Sequence, residues 1–371
     1  MQPITIGLPK IHQEPGERRD FPPEFAAHLA GCGAQVVLEY GYGDGIGYSD
    51  DDYRRAVPNA RFAALQTVYE QDIVIVLRYP GDGKVAWMRP GACLISMLHY
   101  PTRPQRVAYL RERGLDAVSL DSIKDDVGRR LVENVRAVGW NGVEVAFDLL
   151  SKIYPAPGLD DANRNPVKAT VLGAGAVGIY AIQAAVRYGS DARWKEMAAD
   201  GATGVQVTVL EYDTTNHPSI MHQILKYTDL LIDATQRPDP SKPVIPNEMI
   251  GVMRPHAVLL DLSVDPYVCG EGEQIVKGIE GIPHGNLDQY VFAPDDPAWD
   301  TLPSCIGHQN RRWAISCYSW PGIHPKACME HYGTQLAPLM QSILEAGGVH
   351  NVRPDGSFFD RAVSRAVLSR W

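Results

Sequence analysis

The stretch KATVLGAGAVGIYAIQAAVRYG, which begins at Lys168, limits what this chain can fold into more than any other segment. A β-branched apolar run, a glycine turn and a helical repeat follow one another without a break. The segment therefore predicts a buried strand, a tight turn and a helix. Gly173, Gly175 and Gly178 supply the pattern G-x-G-x-x-G. Gly173 permits the sharp turn, Gly175 lets the backbone approach a pyrophosphate, and Gly178 lets helix and strand pack closely. Ala176 and Val177 open the helix, whose unpaired N–H groups and dipole favour a phosphate. The next strand, VQVTVLEYD, ends at Glu211, an acid placed to take ribose hydroxyls and to repel a 2′-phosphate, which favours NAD over NADP. Such a unit normally opens a nucleotide-binding domain, yet here it starts almost halfway along 371 residues.

The residues before it are not a tail. ITIGL, AQVVLEY, DIVIVLR, ACLISML and DAVSL are short apolar runs separated by amphipathic stretches such as PPEFAAHLAGCG and RPQRVAYLRERG, which end at glycine. Strands alternating with helices predict a second parallel sheet covered on both faces. DDVGRRLVENVRAVGWNGVEVAFDLLSKIY has apolar positions at helical spacing and predicts one long helix or two in tandem. A further long amphipathic helix is expected over KACMEHYGTQLAPLMQSILEAGG, and the short tail after it packs on the first domain.

Composition narrows the function. A net charge of −9 argues against a nucleic-acid partner, which needs a basic face. No apolar run reaches the roughly 20 residues of a membrane span, and the opening MQPITIGLPK lacks the pattern of a signal peptide. Six scattered cysteines without a CxxC pair predict reduced thiols, no zinc site and a cytoplasmic protein.

Polar groups fall where strands of the first half end. Arg78 closes DIVIVLR, His99 closes LISMLH, and Arg18 and Arg19 lie in the loop after the first strand. Ligands in open α/β sheets bind at the carboxyl ends of strands. With IGLPK…GERRDFPPEFAAHL, GYGDGIGYSDDDY, VLRYP, LISMLH, DDVGRRL, the glycine fingerprint, DLSVD and WPGIHPKA in that order, the chain resembles the alanine dehydrogenase / pyridine-nucleotide transhydrogenase family, which includes the lysine-forming saccharopine dehydrogenases. The resemblance implies an α/β protein of two Rossmann-like doubly wound domains with a cleft between them, linked by two long helices. A discontinuous substrate domain (1–130 with 322–371) would then flank an inserted NAD domain (131–321), which accounts for the late fingerprint. It also implies catalytic roles for His99, as general acid/base, for Arg78 and for Asp265. A carboxylate would bind at Arg18 or Arg19, and Ser319 would lie beside the NAD cofactor. The implied partner is a small amino acid or 2-oxo acid, in a homo-oligomer.

The pattern departs from the family in places. Arg78 stands where the family has lysine, and arginine cannot shuttle a proton. Ser319-Trp320 replaces Asn-Met, and the bulky Trp320 is expected to reshape the pocket. His284, Asp288, His308 and Arg311 read as surface loop or hydrogen-bonded structure, and Ser49–Asp52 as a helix cap. The reading that follows is NAD-dependent hydride transfer at the α-carbon of an amino acid or 2-imino acid. Its rivals are an opine-type enzyme joining an amine to a 2-oxo acid, and a transhydrogenase-like nucleotide-binding module.

Overall fold

A computed structural model describes residues 3–11, 14–270 and 273–371. Met1 and Gln2 of the opening segment, and Glu271 and Gly272 of PYVCGEGE, lie outside the described residues. The chain divides into two compact units, Met1–Asn134 with His324–Trp371, and Val135–Ile323.

The first unit is built on six strands, β1 (Thr5–Leu8), β2 (Gln35–Glu39), β3 (Arg61–Ala63), β4 (Ile73–Arg78), β5 (Cys93–Met97) and β6 (Asp116–Ser119). They pair in the order β3-β2-β1-β4-β5-β6, and every pairing is parallel. The order reverses between β1 and β4, which makes a topological switch point there. Buried on both faces, β4 and β5 read as continuous apolar runs rather than alternating ones. Helix α1 (Pro23–Gly31) starts at a proline whose missing N–H costs nothing at a first-turn position. The C-terminal segment returns to this unit, and Met329, Leu336, Met340, Val363 and Val367 join the core that contains Ile6, Phe25 and Ile75.

The second unit carries β7 (Val167–Leu172), β8 (Val205–Leu210), β9 (Leu230–Asp233), β10 (Val258–Asp261), a small hairpin β11 (Val268–Gly270) and β12 (Glu273–Ile275), then β13 (Val291–Phe292) and β14 (Trp313–Ser316). Its main sheet runs β13-β14-β10-β9-β7-β8, parallel except for β13. Helix α2 (Val135–Ile153) packs on α3 (Ala176–Ala185), which follows the glycine turn. That contact is close enough for a Cβ at Gly139 to come within 2.7 Å of the Val177 carbonyl oxygen. The other long helix, α4 (Pro325–Glu345), belongs to the first unit, so each long helix is built into one core.

Three expectations need correction, and two short strands have no counterpart among the apolar runs. The helix expected from Asp125 begins only at Val135, because Asp125 accepts the Val127 and Arg129 amides and Gly128 takes a positive φ of 85°, closing a turn. Cys269 and Cys305 form a disulfide rather than two thiols, since β11 and the loop before β14 bring their Cα atoms to 6.7 Å across 36 residues of sequence. Trp320 does not line a pocket. Its indole is fully buried beside Gly142 of α2 and donates to the Asp261 carbonyl at 2.8 Å. The strands β3 and β13 are too short for an apolar run to signal them.

Among the described residues no helix is long and apolar enough to cross a membrane, and no cluster of His, Cys, Asp and Glu could hold a metal ion. The packing under β1 makes a test of the fold. A Cβ on Gly7 would lie 2.0 Å from the Val68 carbonyl oxygen, a backbone atom of the short helix Leu65–Tyr69. Gly7→Ala is expected to destabilise the protein by about 3 kcal/mol in urea unfolding. A change below about 0.5 kcal/mol would contradict this packing.

Candidate active site

In the first unit the loops after β1, β4, β5 and β6 leave one edge of the sheet side by side. Glu17 lies in the loop after β1 and is fully buried. Its Oε1 accepts from Arg19 Nε at 2.8 Å and from Arg78 Nη1 at 3.2 Å. One carboxylate oxygen therefore orients two guanidinium groups. Arg18 donates to the Glu17 carbonyl at 2.7 Å, and its stem crosses Gly45, where a Cβ would come within 2.4 Å of Arg18 Cδ. The glycine-rich GYGDGIGY loop thus makes room for Arg18.

Arg78 and Met97 are register partners on β4 and β5, which sets His99 one strand away from Arg78. His99 adopts φ 52° and ψ 49°, a left-handed conformation uncommon for any residue but glycine. Asp121 holds it there. Its Oδ1 accepts the His99 amide at 3.1 Å and the Ser119 hydroxyl at 2.8 Å, and its Oδ2 lies 3.4 Å from His99 Nδ1. Burial alone would raise the Asp121 carboxyl, but the His99 and Ser119 hydrogen bonds outweigh it and hold the group well below the usual carboxylate range. The ring is half exposed while its partner is buried, so the edge carrying Nδ1 is fixed and the rest of the imidazole can reach a ligand.

Asp20, next to Arg19, is buried, with Oδ2 accepting the Gly43 amide at 2.9 Å and Oδ1 lacking a hydrogen-bond partner. Burial pushes its carboxyl up to about 7.

In the second unit the glycine turn has the three properties its sequence requires. Gly173 sits at φ 85°, a Cβ on Gly178 would lie 2.0 Å from the Gly173 carbonyl oxygen, and a Cβ on Gly175 would meet nothing within 4 Å. The protein's own packing therefore does not call for glycine at 175, whereas close approach of a phosphate does. The exposed Glu211, just past β8, reaches back to accept the Ala174 amide at 2.8 Å. Ala176 and Val177 form the first turn of α3. These residues fit a bound dinucleotide. Ser319 follows β14, mostly buried, with its amide 3.4 Å from Cys317 Sγ. Asp265 follows β10 and is paired with Arg237 at 2.6 Å.

Three groups escaped the sequence reading. Asp121 was within reach, since it too follows an apolar strand. Glu17 and Arg237 were not, because Arg78 and Asp265, the site residues they hold, lie 61 and 28 residues away. The loop residues read as structural behave so: Arg311 pairs with Asp300, His308 Nδ1 meets the Ile306 carbonyl, and Ser49 with Asp52 forms a capping box.

Two predictions come from this edge. Asp121→Asn leaves the fold intact but removes the anion that orients His99, so turnover is expected to fall at least about tenfold. Unchanged turnover would remove Asp121 from the site. Asp20 has a higher pKa folded than unfolded, so its destabilising ionisation is absent below about pH 4 and complete above about pH 7. Asp20→Asn is expected to raise stability by on the order of 2–4 kcal/mol at pH 8 and by nothing measurable at pH 4. An equal gain at both values would contradict the burial of an ionising acid.

Comparison with known proteins identifies the family of the chain. The family models described as alanine dehydrogenase/PNT, N-terminal and C-terminal domains, match residues 7–133 and 143–278. An alanine dehydrogenase of Bacillus subtilis is 25% identical over 273 residues, covering 71% of each chain. An NAD(P) transhydrogenase alpha subunit of Rhodospirillum rubrum is 25% identical over 338 residues, covering 79% of this chain and 87% of its own. Among solved structures, an L-alanine dehydrogenase superposes with a TM-score of 0.73 at 18% identity, covering 98% of this chain and 94% of its own. A transhydrogenase from Sinorhizobium meliloti superposes at 0.65 and 18% identity, covering 92% and 94%. The chain belongs to the alanine dehydrogenase/PNT family.

Proposed function

We propose that this protein is an NAD-dependent oxidoreductase acting on CH–NH2 or CH–NH bonds, with an amino acid and its 2-imino or 2-oxo acid as substrate pair. The observation that carries the reading is the pair of oriented groups on one sheet edge: two guanidiniums aligned by Glu17, and an imidazole aligned by Asp121. A protein that only held a dinucleotide for another subunit would need neither.

Arg78, with Arg18 or Arg19, binds the substrate carboxylate, for which a planar guanidinium is the best donor. His99 exchanges the proton at the substrate nitrogen or at the carbinolamine oxygen. A guanidinium is no proton shuttle, so Arg78 binds and polarises, and proton transfer falls to the imidazole. Gly173, Gly175 and Gly178 with the first turn of α3 would hold NAD(H), which would supply the hydride chemistry at the substrate's α-carbon. Glu211 disfavours a 2′-phosphate, which selects NAD over NADP. Asp265 and Ser319, which follow β10 and β14, would help to hold that cofactor's ribose or to orient the substrate beside it.

The test is a panel of 2-oxo acids with ammonia or primary amines, followed by NADH absorbance. NADH oxidation is expected only when both partners are present. His99→Ala is expected to lose at least about 100-fold in turnover while binding NADH within about twofold of the parent. NADH binding without turnover on any pair would support a transhydrogenase-like module instead. Undiminished turnover in the variant would remove His99 from the chemistry.

A further inference from the structure

Beneath the glycine turn, the carboxyl ends of β9 and β10 carry two buried carboxylates side by side. Asp233 and Asp261 are register partners in the sheet, and each is essentially inaccessible. Asp261 Oδ1 accepts three hydrogen bonds, from the Ser263 amide at 2.9 Å, the Ser263 hydroxyl at 2.8 Å and the Val264 amide at 3.2 Å. Those bonds hold Val264 at φ 63°. A β-branched residue in the left-handed region is a true outlier that persists only where its surroundings impose it. The strained residue immediately precedes Asp265.

Asp261 Oδ2 is taken by Lys277, whose ammonium lies 2.6 Å away and is fully buried, with the Ser316 hydroxyl at 3.3 Å. Lys277 reaches this place because the segment after β12 packs against the strand ends so closely that a Cβ on Gly278 would come within 1.9 Å of Asp233 Oδ2. The same segment touches Asp265 by another route: Arg237 binds both the Asp265 carboxylate and the Val276 carbonyl. Burial raises both acids, but on Asp261 the Lys277 charge together with the hydrogen bonds from Lys277, Ser263 and Val264 outweighs burial and holds the carboxyl below its ordinary value. Asp233 is pushed to about 6 by burial and then by the charge on Asp261.

We propose that Lys277 is a positioning residue: its buried charge keeps Asp261 an acceptor, Asp261 imposes the left-handed turn at Val264, and that turn aims Asp265 at the dinucleotide. This role rests on the dinucleotide reading above, but its first consequence does not need a bound cofactor. Without Lys277 the buried Asp261 charge has lost its ion-pair partner. A carboxylate stranded there is driven towards water, and the turn it holds then loosens.

The experiment compares the parent, Lys277→Met, and Lys277→Met with Asp261→Asn. In the cofactor-free proteins, amide hydrogen exchange is followed in the peptide spanning 262–266. NADH affinity is then measured by fluorescence titration. Lys277→Met is expected to speed exchange in that peptide at least about tenfold, with β4 and β5 unaffected, and to weaken NADH about tenfold. The double variant, whose asparagine still offers Oδ1 to Ser263 and Val264 without a stranded charge, is expected to return both readouts to within about threefold of the parent. A Lys277→Met protein with parent-like exchange at 262–266 would overturn the proposal. So would a double variant no better than the single one. Should the single variant fail to fold, the double variant decides, because the proposal requires it to keep 262–266 protected. A parent protein that binds no NADH defeats the dinucleotide reading, and the exchange result then judges Lys277 by itself.

Discussion

Parallel pairing delivers the residue after each strand to the same edge of its sheet, and the candidate chemistry of this chain depends on that constraint. Neighbouring strands lie about 4.8 Å apart, so groups that follow adjacent strands are within reach of one another however far apart they stand in sequence. In the first unit the order β1-β4-β5-β6 turns four distant loops into one row, Glu17 with Arg18 and Arg19, then Arg78, His99 and Asp121. In the second unit the same rule lines up the glycine turn, Asp233 with Thr235, Asp261 with Asp265, and Ser319.

Buried carboxylates turn those rows into defined geometry. Removing a carboxylate from water is costly, and the cost is tolerated only where good hydrogen bonds or cations answer it. Glu17 is answered by Arg19 and Arg78, Asp121 by the His99 amide and ring, and Asp261 by Lys277. Such a group cannot drift without losing its partners, so the side chains it holds are fixed before any ligand arrives. That is the preorganisation a site for charged substrates requires. Asp20 and Asp233 are the exceptions, each with an oxygen lacking a hydrogen-bond partner and a carboxyl raised towards neutrality.

The strands were legible in the sequence because buried parallel strands are written as local apolar runs. IVIVLR and CLISM carry their whole signal within themselves. The three-residue β3 and two-residue β13 do not, since pairing with a neighbour rather than composition makes them strands. The glycine turn was legible for a similar reason: Gly173 answers a positive φ, Gly178 a contact with Gly173, and Gly175 open space. The Cys269–Cys305 bond, the Glu17–Arg78 pair and the burial of Lys277 were not, because each depends on elements that meet only after folding. A lysine in IVKGIEG reads as surface. Folding instead buries it against Asp261, with Gly278 packed closely on Asp233. Trp320 shows the same limit from the other side, since its place in the chain suggested a pocket wall and its indole instead completes a core.

In the function proposed above proton transfer falls to His99, and hydride transfer to carbon is the step that separates an enzyme from a binding module. The most direct measurement follows a label. NADH carrying deuterium at the transferable position of C4 is incubated with the protein, 2-oxo acids and ammonia or primary amines, and the amino products are read by mass spectrometry. Deuterium at the α-carbon of an amino acid or secondary amine product is the predicted result. Bound NADH whose label reaches no product across the whole panel would contradict it.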